Sequence, residues 1–133
     1  MLLTDRNGLP TSIDTEAANV NEVQLIERLI ERTSLPQSLP ERLMYDKAAD
    51  SNPLRARLEQ QDIDLICPNR KGRKNGPFQD KRKLRRYKRR WIVERTISWI
   101  HNFRRTVVRY EYYAHLFQSF VRLAAISILL NRF

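Results

Sequence analysis

The spacing of apolar positions predicts strands in the N-terminal half of the chain. Two short apolar segments flank Asp5-Arg6-Asn7-Gly8, and an Asn-Gly pair between such segments is a strong hairpin signal. We therefore predict a β-hairpin over residues 1–16. Two later apolar runs, Leu43-Met44-Tyr45 and residues 63–67, have the length of buried strands.

Two helices are predicted between these strands. The first begins at Asn21, whose side chain can cap the first turn, and its apolar residues recur at helical spacing up to Ser34. The second begins at Ser51-Asn52-Pro53, with proline in the first turn, and continues to Gln61. The predicted order of strand, strand, helix, strand, helix, strand is an α/β pattern with partly parallel pairing.

The C-terminal part is predicted to form two further helices. On a helical wheel of residues 87–105, apolar side chains gather on one side and the carboxylate of Glu94 lies on the other. On the wheel alone, the ordinary interpretation is an amphipathic helix with Glu94 in a salt bridge. Residues 112–132 form the last helix, which is apolar on most sides, so we expect it to be buried against the sheet or a partner chain.

Charge changes this picture because it is concentrated in one segment. The 133 residues carry a formal net charge of +10, and 41% are hydrophobic, which suits one folded domain with a polyanionic partner. Residues 70–90 contain twelve Lys or Arg and one acid, a net of +11, while the other residues together carry −1. We expect a basic loop at about residues 68–86 that contacts nucleic-acid phosphates. On charge alone, a solvated linker is the alternative.

Composition disfavours several other kinds of protein. The one cysteine, Cys67, cannot form an internal disulfide, and two histidines are too few for a zinc cluster around it. The most apolar stretch, residues 123–130, is too short to span a bilayer, and the first residues do not resemble a signal peptide. We therefore expect a cytoplasmic protein that does not associate with membranes.

Three segments carry a resemblance to a known family. Residues 45–51, Tyr-Asp-Lys-Ala-Ala-Asp-Ser, resemble the second-acid motif of bacterial insertion-sequence transposases of the DDE type, in the group named after insertion sequence five. Tyr87, Arg90 and Glu94 match the spacing of that group's third-acid motif, which usually has lysine seven residues further on. Position 101 departs from the motif because it is His101. Residues 3–10 resemble the hairpin that follows the first acid, so the resemblance covers nearly the whole chain.

The resemblance implies that residues 1–133 form a single, incomplete RNase H-like domain of the α/β class. The family's first strand, which carries the first acid, and its N-terminal helical DNA-binding region have no counterpart in this sequence. Asp5 is expected to be a turn residue rather than that acid, because Asp and Asn favour turns. The chain is then either the second reading frame of an element joined by frameshifting or a decayed remnant, and the sequence leaves both open.

The resemblance also implies cleavage of DNA at the element's ends and strand transfer into target DNA. Asp46 and Glu94 would be the catalytic and metal-binding acids for Mg²⁺, which Mn²⁺ can replace, and they are expected to lie close in space. The residues expected to contact DNA are Tyr87, Arg90 and His101 together with the basic side chains Arg70, Lys71, Arg73, Lys74, Lys81, Arg82, Lys83, Arg85 and Arg86.

The expected activity depends on partners. Without the first acid, the isolated chain is expected to cleave DNA poorly, although it belongs by resemblance to an enzyme family. Its expected partners are DNA and either a second copy of the chain or an upstream transposase polypeptide. Two alternatives stay open: a non-catalytic DNA-binding remnant that represses transposition, and an interaction remnant whose last helix pairs with a partner chain.

Overall fold

Two small sheets surrounded by helices make up the computed structural model, which describes residues 1–16, 20–33, 39–72, 74, 76 and 78–132. β1 (Leu2–Thr4) and β2 (Pro10–Ile13) form an antiparallel hairpin. β3 (Arg42–Met44) and β4 (Asp64–Ile66) pair in parallel. The predicted hairpin, the partly parallel pairing and the mixed α/β class are confirmed.

Helices α1 (Glu22–Glu31) and α2 (Asn52–Glu59) begin at the capping residues that the sequence predicts. The Asn21 side chain accepts the Val23 N–H, and Ser51 caps α2, which has proline in its first turn. A short 3-10 helix (Lys47–Ala49) lies between β3 and α2. The predicted end of the first helix at Ser34 lies outside the described residues.

The C-terminal part is more broken than the sequence predicts. The segment predicted as one helix over residues 87–105 comprises the end of α3 (Lys81–Tyr87), a 3-10 turn (Lys88–Arg90), α4 (Trp91–His101) and α5 (Arg104–Val107). The helix breaks at Phe103, which is extended, and the buried Thr106 hydroxyl donates to the Ile100 carbonyl at 2.6 Å. This hydrogen bond stabilises the corner between α4 and α5. The sequence analysis had predicted one continuous helix there.

The basic loop predicted at about residues 68–86 ends earlier than expected. α3 begins at Lys81 because Asp80 caps it, with its carboxylate accepting the Arg82 N–H at 2.8 Å. The Lys83 ammonium also forms an ion pair with Asp64 of β4 at 2.8 Å, which holds α3 against the parallel sheet. The sequence prediction counted Asp80 only as a charge and missed its capping role.

Two buried clusters meet at strand β1. The larger cluster joins α1, α2 and the parallel sheet, with Leu54 at its centre and fully buried. The smaller cluster joins α4 and α6 through Ile100 and Val121. Leu3 packs on the first cluster and Leu2 on the second, because successive side chains of a strand point to opposite faces. β1 therefore contacts both halves of the molecule.

The last helix, α6 (Ala114–Leu130), is buried on one side only. Its inner side packs on α4, whereas Leu123, Ile126 and Leu130 are 57%, 50% and 72% exposed. The expected burial of this helix is therefore confirmed for its inner face, and its outer face is apolar and open. Within the described parts of the chain, no helix combines the length and apolarity needed to cross a membrane.

Candidate functional site

Tyr87, Arg90 and Glu94 form a connected row of side chains where α3 meets α4. Arg90 donates to the Tyr87 hydroxyl at 2.9 Å and to Oε1 of Glu94 at 2.9 Å. The hydrogen bond that the Arg90 guanidinium donates to Glu94 is the main cause that raises its pKa. The polar face predicted from the wheel is therefore present, and Glu94 takes part in the salt bridge expected of an amphipathic helix.

The Arg90–Glu94 pair lies at the surface. The Glu94 side chain is 57% exposed and that of Arg90 is 40% exposed. An exposed pair four residues apart on a helix contributes only about 0.3–0.5 kcal/mol, because water screens both charges. A cation at Glu94 or a phosphate at Arg90 could therefore separate the pair at little energetic cost.

The turn of the hairpin holds α4 in place. Thr96 is fully buried, and its hydroxyl donates to the Gly8 carbonyl at 2.6 Å. Arg95 donates to the Asn7 carbonyl at 2.7 Å. These contacts position the helix that carries Glu94, and the sequence analysis did not find them. The only local signal was Thr96, a small polar residue among the apolar positions of its helix.

Asp5 serves the hairpin turn itself. Its Oδ1 atom accepts the backbone N–H groups of Asn7 at 2.9 Å and Leu9 at 2.7 Å. The backbone also closes the turn, since the Asp5 N–H donates to the Leu9 carbonyl. The prediction that Asp5 is a turn residue is confirmed.

Asp46 caps the 3-10 helix that follows β3. Its Oδ1 atom accepts the Ala48 N–H at 2.7 Å, which is the ordinary role of an acid at the end of a strand. Across the described ranges, no three acidic, histidine or cysteine side chains are grouped so that they could hold a metal ion. Asp46 precedes the 3-10 helix, whereas Glu94 lies in α4. That the two acids lie close in space stays a prediction.

A buried acid at the end of the 3-10 helix, Asp50, joins this helix to the start of the basic segment. The Oδ2 atom of Asp50 accepts the Arg70 N–H at 2.8 Å, and its Oδ1 atom lies 3.5 Å from Nη2 of Arg55. The Arg70 guanidinium donates to two carbonyl groups of the 3-10 helix at 3.1 and 2.9 Å. Arg70, predicted to contact DNA, therefore also supports the turn that holds Asp46.

The other predicted DNA-contacting cations that the structure describes lie at the surface. Lys83 is exposed, although it pairs with Asp64, and His101 is exposed at the end of α4. Arg73 lies outside the described residues. The remaining predicted cations are all exposed, namely Lys71, Lys74, Lys81, Arg82, Arg85 and Arg86. Most of them stand on α3, so one short helix concentrates the positive charge directly before the row of Tyr87, Arg90 and Glu94.

A second buried acid, Asp14, was missed by the sequence analysis. Its carboxylate accepts hydrogen bonds from Arg28 at 2.8 Å, Arg32 at 2.9 Å and Gln118 at 2.8 Å. Asp14 thereby joins the end of β2 to α1 and α6. The spacing of Arg28 and Arg32, one turn apart on α1, was the signal that could have indicated a buried acidic partner.

Comparison with known proteins gives the family of this chain. Residues 1–130 match the family model described as "Transposase DDE domain". The chain is also 30% identical, over 137 residues, to a Burkholderia cepacia protein named "Putative transposase for insertion sequence element IS402". The alignment covers 98% of this chain but 61% of the relative, so the chain spans about three fifths of that protein's length. No solved structure matches the chain. Because the family model covers nearly the whole sequence, the chain belongs to the family of transposase DDE domains.

Proposed function

We propose that this chain is the C-terminal part of the catalytic domain of an insertion-sequence transposase in the insertion-sequence-five group. The complete protein would cleave DNA at the ends of its element and join it to target DNA. The observation that carries the proposal is the hydrogen-bonded row of Tyr87, Arg90 and Glu94 at the end of the cationic helix α3, in which Tyr87 and Arg90 are half-buried and Glu94 is exposed. This order places a carboxylate beside a surface suited to DNA phosphates.

The DNA would lie along α3 and reach the row at its end. Exposed lysines and arginines neutralise phosphates and release counterions, which strengthens binding at low salt. Arg90 can turn from Glu94 to a phosphate, because their surface pair is weak. The Tyr87 hydroxyl, which Arg90 orients, lies beside the same phosphate position.

Asp46 and Glu94 are the residues that would hold Mg²⁺ or Mn²⁺. Among the described hydrogen bonds, the Asp46 carboxylate accepts only through its Oδ1 atom and the Glu94 carboxylate only through its Oε1 atom. The second oxygen of each carboxylate is then left for a hard cation. A bound divalent ion would stabilise the negative charge that develops on the phosphate oxygens. The protein's own contribution is to present these acids and to neutralise the flanking phosphates.

An RNase H-like sheet would be completed by a strand from an upstream polypeptide. The Tyr45 N–H donates to the Ile66 carbonyl, so the backbone groups of Met44, one position earlier, point to the other edge of β3. On the hairpin, the Asp14 N–H donates to the Met1 carbonyl. The backbone N–H and C=O of the next residue, the first of β1, therefore face away from β2. Both strands pack on the larger cluster. One strand paired with both edges would join the two sheets.

The outer face of α6 would contact a second copy of the chain. Leu116, Leu123 and Leu130 are seven residues apart and are 44%, 57% and 72% exposed. Ile126 lies between the last two at the spacing of a heptad repeat, which is the pattern of paired helices. Because the same seam occurs on each copy, two α6 helices could pair about a twofold axis.

Cleavage assays with and without an upstream polypeptide test the catalytic proposal. The chain, alone or co-expressed with that polypeptide, is incubated with Mn²⁺ and DNA that carries element ends. We expect DNA binding in both cases and cleavage only with the upstream polypeptide. Asp46→Asn and Glu94→Gln should abolish cleavage without abolishing binding, whereas Glu59→Gln, an exposed acid on α2, should change neither. Cleavage that survives Glu94→Gln would contradict the proposal.

A non-catalytic DNA-binding protein that represses transposition is the second candidate. It is favoured by two observations. The described residues contain no group of three possible metal ligands, and α3 carries the positive charge that DNA binding needs. Binding of element ends that blocks the full transposase, with no cleavage after the upstream polypeptide is added, would support this candidate.

A further inference from the structure

The segment between α5 and α6 exposes three tyrosine rings. Tyr110, Tyr112 and Tyr113 are 73%, 88% and 59% exposed. The Tyr112 and Tyr113 rings meet edge to face, with their centroids 5.1 Å apart and their planes at 89°. Tyr113 is also stacked on His115 at 5.6 Å. So much exposed aromatic surface in one short segment is typical of a binding site.

The backbone under these rings is held by charged side chains. The Glu111 side chain is 7% exposed and accepts hydrogen bonds from Arg105 at 2.9 Å and from the Tyr110 N–H at 3.2 Å. Arg109 donates to the carbonyls of Glu111 and Tyr112 at 2.9 and 2.7 Å. The backbone that carries the rings is therefore preorganised, so binding a ligand would not require ordering of this backbone first.

The charges around the rings favour a nucleic acid over an acidic or neutral protein surface. Glu111, the acid of this segment, is turned inward and neutralised by Arg105. Arg104 on α5 and Arg122 on α6 are exposed on the two flanking helices. Exposed aromatic rings flanked by cations are the combination that binds single-stranded nucleic acids, because every base offers a face for stacking.

We propose that Tyr110, Tyr112 and Tyr113 form a stacking site for unpaired DNA bases, and that Arg104, exposed on the preceding helix α5, contacts the phosphate backbone. The bases of an intact duplex are already stacked on one another, so the site would engage bases only where strands separate. This inference rests on the proposed function, because it requires DNA as the substrate. It adds a second contact to DNA that is distinct from α3 and the Glu94 row.

Binding assays with two DNA probes test the stacking site. One probe is a blunt duplex, and the other is the same duplex with a short single-stranded overhang that contains 2-aminopurine. We expect the full chain to bind the overhang probe about fivefold or more tightly than the blunt one, with quenching of 2-aminopurine fluorescence. The double variant Tyr110→Ser/Tyr112→Ser should lose this preference and the quenching while it binds the blunt duplex as before.

Two control variants make the outcome specific to aromatic stacking. Tyr112→Trp should keep the preference for the overhang, and Val108→Ser, a change at a 51% exposed position in the same segment, should leave it unchanged. Equal affinity of the native chain for both probes, or a preference that survives in the double serine variant, would overturn the stacking site. If the serine changes alter self-association in sedimentation but not DNA preference, the rings contact protein instead. Failure to bind even the blunt duplex would instead overturn the proposed function.

Discussion

Gly8 is the position at which a single added methyl group should loosen the helix that carries Glu94. Its φ angle is +90°, a conformation that L residues rarely adopt. A Cβ atom there would lie 3.0 Å from Oγ1 of Thr96 and 3.1 Å from Cγ2 of Ile92. Thr96 is fully buried and has a short side chain, so it cannot swing away as a long surface side chain could.

The expected destabilisation by Gly8→Ala follows from three contributions. The positive φ angle costs an alanine about 1–2 kcal/mol. Overpacking against α4 costs about 1–3 kcal/mol. The lower flexibility of alanine in the unfolded chain offsets about 0.4–1 kcal/mol. We therefore expect the free energy of unfolding to fall by about 1–5 kcal/mol.

Urea unfolding measures this change, and the second glycine with positive φ provides the control. Gly72 has φ +83°, but among the described residues an added Cβ would meet nothing within 4 Å. Gly72→Ala should therefore lose only the backbone contribution. Thr96→Val, which leaves the Gly8 carbonyl without its buried donor, should cost about 1–3 kcal/mol. Equal losses in Gly8→Ala and Gly72→Ala would refute the steric argument.

Three further predictions concern stability, pH and assembly. Asp14→Asn should lower the free energy of unfolding by about 1–3 kcal/mol, which is less than breaking a fully buried pair costs because both arginine partners are partly exposed. Urea unfolding, with Glu59→Gln as control, checks this. Burial is the main cause that raises the pKa of Tyr45 above its unfolded value of about 10, so stability should be full below that pH and fall as pH rises above it. Tyr45→Phe should remove this part of the pH dependence in unfolding experiments, and an unchanged slope would contradict it. Leu123→Lys should convert a dimer to a monomer in sedimentation, whereas Val107→Lys, 56% exposed on α5, should not; a native chain that stays monomeric at high concentration would count against the α6 pair.

The elements that the sequence predicted well are those determined by local chemistry. Asn21 and Ser51 cap helices that begin one residue later, and the segment from Asp5 to Gly8, which contains Asn7-Gly8, forms the hairpin turn. α3 was missed, although Asp80 offered the same kind of signal, because the density of like charges suggested a mobile loop. In the structure, capping by Asp80 and the ion pair of Lys83 outweigh that repulsion.

Part of the candidate site could be predicted from the sequence, because that part is a local motif. Tyr87, Arg90 and Glu94 are within two turns of each other, so their row could be read from helical spacing. The contact between Gly8 and Thr96 joins positions 88 residues apart, and no periodicity in the sequence encodes such a pairing. The open outer face of α6 could not be distinguished from a buried one, because burial depends on what packs there and apolar spacing alone does not specify it.

The hairpin also governs how the two proposed catalytic acids are placed relative to each other. Asp46 follows β3 at the larger cluster, whereas Glu94 stands on α4, which packs on the smaller one. β1 contacts both clusters, and the turn at Gly8 binds the side of α4 opposite Glu94, since Thr96 lies about 200° further around the helix. Displacing α4 should therefore shift Glu94 and leave the cations of α3 largely in place.

Cleavage and binding should consequently respond differently to Gly8→Ala. When the upstream polypeptide is present, we expect cleavage to fall about a hundredfold, because a displacement of reacting groups by about 1 Å can cost that much in rate. Affinity for duplex DNA should change little, since it depends on the phosphate contacts of α3. The measurement is cleavage under single-turnover conditions beside duplex affinity at the same salt concentration, both at a temperature where the variant is folded. Parallel losses of cleavage and affinity would show that α3 and α4 move as one unit and that the hairpin does not position Glu94 separately.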